Sequence, residues 1–155
     1  MTTAERLISR ILKDNQTLAT AESCTGGLLA ATITEVPGVS PVFLGGVVAY
    51  SNTIKEEVLE VRPDTLDSFG AVSEEVVEEM VRGVCRKFNA HLGIATTGVA
   101  GPTGGTKEKP VGKVFVATQV GNEVFITTNL FGGSRTHVRQ RTVEQGLGQL
   151  LRMLS

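Results

Sequence analysis

Glycine limits what this chain can fold into more than any other residue. Its 18 glycines are unevenly spread. They gather at Gly26-Gly27, Gly45-Gly46, Gly98 to Gly105 and Gly132-Gly133. Each cluster lies between apolar runs, where glycine supplies the tight backbone that joins strands to helices. Any single pair is explained as a turn. Four in a chain of 155 residues are better explained as backbone gathered around a ligand.

The segments between the clusters have clear periods. Residues 4–14 read as an amphipathic helix with Leu7, Ile8, Ile11 and Leu12 on one stripe. Thr2 and Glu5 form a capping box at its start. Residues 17–22 read as a short buried strand, and residues 28–36 as a helix ended by Pro37-Gly38. The apolar, β-branched run 42–50 suits a central strand. Asn52 then caps a short helix through Val61 that stops ahead of Pro63. Ser73, with Glu74 and Glu75 in the first turn, starts a helix to about Phe88. Residues 91–97 form the next strand, entering the loop 98–105. Residues 111–120 and 123–131 are strands joined by Gly121-Asn122, a hairpin signal, and the last helix covers 134–154. This order predicts one α/β domain over residues 1–155. Its expected architecture is three layers, α/β/α, with a mixed, mostly parallel sheet and a C-terminal antiparallel hairpin.

Composition narrows the partners. A net charge of −1 gives no global pull toward nucleic acid or an anionic membrane, so affinity for a phosphate has to come from a local site. Aromatic residues make up 5% with no Trp, which argues against a base-stacking platform. The start is too polar for a signal peptide and no apolar run reaches membrane-spanning length, so the cytoplasm is the expected compartment. Cys24 and Cys85 fit no metal spacing, and His91 and His137 have no acidic or Cys partners at ligand spacing. No metal and no cofactor is expected.

Chemistry concentrates where strands end. Ser23 falls where a strand gives way to a helix, at the carboxyl edge of the sheet where open α/β folds bind ligands. It reads either as the helix N-cap or as a nucleophile beside backbone N–H groups able to hold an oxyanion. A serine nucleophile needs a base. Lys55, in the first turn of a helix, sits where an ammonium is disfavoured, and partial burial would depress its pKa further. Tyr50, the sole tyrosine, closes a strand at the same edge. Cys24 reads as a rival nucleophile or a small buried hydrophobe. The loop 98–105 lacks the Lys-Ser/Thr ending of a P-loop and the dinucleotide fingerprint, which disfavours a nucleoside triphosphate. Its N–H groups could still nest one phosphate, with Lys107, Lys109, Arg135, Arg139 and Arg141 as candidates to balance the charge.

Four motifs stand in order: Ala21-Glu22-Ser23-Cys24-Thr25-Gly26-Gly27; Gly45-Gly46-Val47-Val48-Ala49-Tyr50-Ser51-Asn52 with Lys55; Gly70-Ala71-Val72-Ser73-Glu74-Glu75; and Thr97-Gly98-Val99-Ala100-Gly101-Pro102 through Lys109-Pro110-Val111-Gly112. On these the sequence resembles the CinA C-terminal domain family, which includes nicotinamide mononucleotide deamidases, from Leu18 to Leu151. The resemblance implies metal-free hydrolysis of nicotinamide mononucleotide to nicotinate mononucleotide and ammonia, as in pyridine nucleotide recycling. It implies Ser23 as nucleophile with Lys55 and Tyr50 as partners. The candidate substrate-binding residues are Cys24, Thr25, Gly26, Gly27, Gly46, Thr97, Gly98, Gly101, Gly104, Gly105, Arg135 and Arg139, with the N–H groups of the Thr25-Gly26-Gly27 turn holding the oxyanion. The family's Gly-Asp-Arg reads Gly133-Ser134-Arg135 here, where Ser can cap the final helix as Asp does. The resemblance also implies a homodimer or higher homo-oligomer and a stand-alone form of a domain that often follows a larger one. Two rival readings are a non-catalytic nucleotide-binding module and a competence- or damage-associated partner protein.

Overall fold

The computed structural model describes residues 1–155 as six helices and five strands. Helix α1 (Thr3–Lys13) starts on the expected capping box: Thr2 Oγ1 accepts from the Glu5 N–H, and the Glu5 carboxylate accepts from the Thr2 N–H. Strand β1 (Leu18–Glu22) leads to α2 (Leu28–Thr34), then β2 (Phe43–Val48) and α3 (Asn52–Leu59). After α4 (Pro63–Phe69) and α5 (Glu74–Phe88) come β3 (Leu92–Gly98), the hairpin β4 (Lys113–Val120) and β5 (Glu123–Leu130), and α6 (Arg135–Leu154).

The strands lie in the order β2-β1-β3-β4-β5. β1 pairs parallel with β2 and β3, and the β3–β4 and β4–β5 pairs are antiparallel. Only β4 therefore runs against the other four. The expected mixed sheet, mostly of one direction and closed by an antiparallel hairpin, is what forms. The carboxyl ends of β1, β2 and β3 meet at one edge, which brings Ser23, Tyr50 and Thr97 to the same side of the molecule.

Side chains alternate across the sheet and build a core on each face. Leu18, Leu92, Ile94, Val114 and Val116 pack under α1, α2 and α6. Ala19, Ala21, Ala95, Phe115 and Ala117 pack under α3, α4 and α5. These two cores make the three layers. No helix is long and apolar enough to cross a membrane.

Two expectations need correction. β2 is an edge strand, not a central one. Its residues alternate between half-buried and exposed, with Leu44 and Val48 about half open to solvent. The seven-residue α2 is too short to cover it, and an apolar run does not by itself tell an edge from a centre. Second, Ser51, not Asn52, caps α3, its Oγ accepting from the Ile54 N–H at 3.2 Å. The helix ends at Leu59, and the separate helix α4 begins on Pro63 at its first position. Proline there is favoured because its missing N–H would have had no helical partner.

Close packing of α5 on α3 depends on Gly83. A Cβ built there would lie 2.0 Å from the Leu59 carbonyl oxygen. Backbone cannot yield as a flexible side chain can, so Gly83→Ala should destabilise the fold by about 1–3 kcal/mol, the usual cost of overpacking. A urea titration showing an unchanged midpoint and slope would disprove this account of the α3–α5 contact.

Candidate active site

The edge formed by β1, β2 and β3 holds a cavity of about 220 Å³. Ser23, Cys24, Tyr50, Lys55, Thr97 and Arg135 contribute to its wall, with Ala71, Val72, Gly98 and Ala100. It contains no Asp, Glu or His.

Lys55 is its most unusual member. The Ser51 cap directs α3 so that Lys55, at its fourth position, points under the end of β2, where it is 1% exposed. Its Nζ lies 3.1 Å from Ser23 Oγ, 2.9 Å from the Ala49 carbonyl oxygen and 3.2 Å from that of Tyr50. Burial lowers its pKa from the ordinary lysine value, with a weaker opposing influence from Cys24. A neutral amine fits these three partners: two N–H bonds donate to the carbonyls, and the lone pair accepts the Ser23 hydroxyl. The nearest groups thus set an amine of lowered pKa against a serine hydroxyl.

Glu22 supplies the second feature. This carboxylate is buried at the end of β1. Its oxygens accept from the N–H groups of Gly27 at 3.2 Å, Leu29 at 2.9 Å and Ala30 at 3.0 Å. Hydrogen bonds to charged groups contribute about 1.5–3 kcal/mol each, so Glu22 anchors the start of α2. The first motif contains Glu22, but residue types alone do not reveal this anchoring role. The available signal was a lone carboxylate closing an otherwise apolar strand, directly before a glycine turn.

Two of the three expected oxyanion donors are already engaged, while the Thr25 N–H makes no hydrogen bond to another residue. The Gly27 N–H is held by Glu22, and the Gly26 N–H bonds the Ser23 carbonyl. Neither is free. The Cys24 N–H makes no hydrogen bond to another residue, and Cys24 lines the cavity. Burial pushes the Cys24 thiol up to about 12, and nearby Glu22 adds to this, so it stays protonated and is a poor rival to Ser23.

Tyr50 meets Lys55 through its carbonyl rather than its phenol. The phenol oxygen accepts from Arg135 Nη2 at 3.2 Å, and Arg135 Nη1 donates to the Gly101 carbonyl at 2.7 Å. Thr97 Oγ1 donates to the Ala71 carbonyl at 2.8 Å, tying the end of β3 to the segment before α5. Gly98 also lines the cavity, and its close approach to β4 leaves no room for a side chain.

The other expected binding residues stand outside the cavity wall. Arg139 donates to the Thr25 carbonyl at 2.8 Å and pins the turn. Thr25 is fully buried, its hydroxyl 2.8 Å from that of Thr96. Gly46 lies in β2 over Thr20, whose Oγ1 would be 2.3 Å from an added Cβ. Gly101 shapes the loop and receives Arg135, while Gly104 and Gly105 lie exposed in it. Of the cations considered for a phosphate, Arg135 alone reaches the cavity; Lys109 donates to the Phe69 carbonyl. Ala71, Val72 and Ala100 line the cavity without having been assigned a role, although the third and fourth motifs contain them.

A family model described as the CinA C-terminal domain matches residues 1–154. A protein of Thermoanaerobacter sp. (strain X514), described as competence-damage inducible, is 50% identical over 97% of this chain and 37% of its own length. The chain therefore spans little more than a third of that relative. Among solved structures, the competence/damage inducible protein CihA from Agrobacterium tumefaciens is 38% identical, with a TM-score of 0.93 over 100% of this chain and 98% of that one. A CinA superfamily protein from Enterobacter cloacae is 35% identical, with a TM-score of 0.95 over 99% of this chain and 90% of that one.

The depressed pKa of Lys55 makes a stability prediction. In the window between the folded pKa and the higher unfolded value, the unfolded chain binds the extra proton, so stability rises with pH. Below the folded pKa the cost of burying the ammonium is fully present. Lys55→Met removes that dependence. The stability of the Met variant relative to wild type should therefore fall as pH rises from neutral into the alkaline range. Denaturation curves showing a pH-independent difference would mean that Lys55 is not depressed.

Proposed function

We propose that this chain, which belongs to the CinA C-terminal domain family, is an amidohydrolase that converts nicotinamide mononucleotide and water to nicotinate mononucleotide and ammonia. The observation that carries the reading is the buried Lys55 Nζ set 3.1 Å from Ser23 Oγ, with two carbonyls engaging its remaining hydrogens.

The chemistry follows from those contacts. Neutral Lys55 takes the Ser23 proton as Oγ attacks the carboxamide carbon. The Cys24 and Thr25 N–H groups, which follow Ser23 and make no hydrogen bond to another residue, are the donors open to the oxyanion that develops. Lys55, now an ammonium, gives its proton to the departing nitrogen. Ammonia leaves an ester on Ser23. Water, deprotonated by Lys55 in the same way, then releases the acid. The quaternary pyridinium nitrogen withdraws electrons from the carboxamide, which makes a small catalytic set sufficient. Tyr50 takes part through the carbonyl that orients Lys55.

The cavity is smaller than the roughly 300–1,000 Å³ of sites that enclose a drug-sized ligand. It suits the pyridine ring and scissile amide, with the ribose phosphate reaching out past Tyr50 toward Arg135. The Arg135 guanidinium keeps N–H donors beyond the two already engaged, and a phosphate takes such donors as strong charge-assisted bonds.

An ammonia assay on nicotinamide mononucleotide tests the reading, with product identified by mass. Ser23→Ala should abolish release while the substrate still raises the melting temperature. Lys55→Arg should also be inactive, because a guanidinium does not shed its proton in this range. For wild type, kcat/KM should climb with pH along a limb below the ordinary lysine pKa. A melting-temperature rise without ammonia from wild type would instead identify a binding module.

The phosphate should matter as much as the amide. We expect kcat/KM for the mononucleotide to exceed that for free nicotinamide by at least about a hundredfold, equivalent to ~2.7 kcal/mol of remote binding energy. Arg135→Ala should narrow that gap by lowering the mononucleotide value alone. Equal values for both compounds in wild type would remove the phosphate from recognition.

A further inference from the structure

The cavity has one base and no carboxylate or imidazole. Whatever deprotonates the nucleophile that opens the acyl-enzyme must therefore be the group that first deprotonated Ser23. Once Oγ is esterified it has no hydrogen to give, and the Lys55 lone pair is released. The two Nζ–H bonds remain directed to the Ala49 and Tyr50 carbonyls. That single lone pair is the feature of the wall that selects the incoming molecule. It asks for a small nucleophile bearing a transferable hydrogen, and it does not ask for water in particular.

The departing ammonia left from the same place. By microscopic reversibility, a space that lets H–NH₂ leave through Lys55 also lets ammonia attack by the same path, and a small H–NHX such as hydroxylamine is larger by one heavy atom. We propose that the site is also an acyltransferase, moving the acyl group of its carboxamide substrate from Ser23 to small unprotonated amines such as hydroxylamine. This inference rests on the acyl-enzyme reading above.

The step balances without another reactant. The amine nitrogen attacks the ester carbon as Lys55 takes one of its hydrogens. The bond from carbon to Ser23 Oγ breaks, and Lys55 returns that hydrogen to Oγ. The products are an N-substituted amide, a hydroxamate when the amine is hydroxylamine, and free Ser23. Charge sets part of the scope: with no carboxylate in the wall, nothing there favours a cationic amine, so the neutral form reacts. Size sets the rest. About 220 Å³ must already hold the acyl group, so small amines such as hydroxylamine and methylamine are favoured over bulky ones.

The test uses wild-type protein, nicotinamide mononucleotide and graded hydroxylamine at fixed pH, measuring ammonia, carboxylate and hydroxamate together. The inference expects the ratio of hydroxamate to carboxylate to rise in proportion to hydroxylamine, while ammonia equals their sum. Ser23→Ala should give neither product. Ammonia with carboxylate as its sole partner at every hydroxylamine concentration would overturn the inference and leave the amidase reading standing. Hydroxamate formed equally by Ser23→Ala would overturn it as well. No ammonia from wild type in the absence of hydroxylamine would overturn the amidase reading and this inference with it.

Discussion

The site depends on a lysine kept away from water. A long cationic side chain is seldom fully buried without a counter-charge, and Lys55 has no carboxylate within salt-bridge reach. Two main-chain carbonyls take its place. They belong to Ala49 and Tyr50, where the chain leaves β2 and turns into α3. Carbonyl dipoles satisfy N–H bonds without supplying the full charge that would stabilise an ammonium. Burial and this choice of partner act together to favour the amine. The path of the chain from β2 into α3 thus sets both the depth of Lys55 and the carbonyls that its Nζ meets.

A second buried group works in the opposite sense. The start of a helix ordinarily offers free N–H groups and partial positive charge to an anion. Here Glu22 takes three of those N–H groups from within the protein. Rigidity is what the arrangement provides: the turn carrying Ser23 is held to β1 by Glu22 and to α6 by Arg139. The consequence is that the start of α2 is largely neutralised as an anion site, whereas the Cys24 and Thr25 N–H groups just before it make no hydrogen bond to another residue.

The architecture was legible because the periods were strong. The capping box at Thr2 and Glu5, the Ser73 start of α5 and the Gly121-Asn122 turn are local signals, and each appears where the residues place it. The position of β2 was not legible, because which strand lies outermost depends on how much sheet a neighbouring helix covers. α4 is not legible in the sequence, because a proline after a helical pattern marks the end of one helix as readily as the start of the next. In the candidate site, the approach of Ser23 and Lys55 follows from where strands end, which sequence can suggest. The occupation of the Gly27 N–H by Glu22 does not follow. It requires knowing which way a buried carboxylate turns, and no pattern of residue types carries that. Arg139 and Gly46 show the same limit: each belongs to a motif near the site, yet each is explained by packing next to it.

The outermost place of β2 bears on how the molecule opens. This strand is hydrogen-bonded along one side only, to β1, and much of it faces solvent. Such an edge detaches at lower free energy than a central strand, in a partial opening that leaves the rest of the sheet intact. Ser23 follows β1, which is paired on both sides, whereas Tyr50 and Lys55 follow β2. Lys55 and Ser23 are therefore mounted on segments of unequal local stability. In hydrogen-exchange terms, the amides of β2 belong to a faster-exchanging unit than those of β1 and β3, and the Ser23–Lys55 contact comes apart with that unit rather than with the global fold.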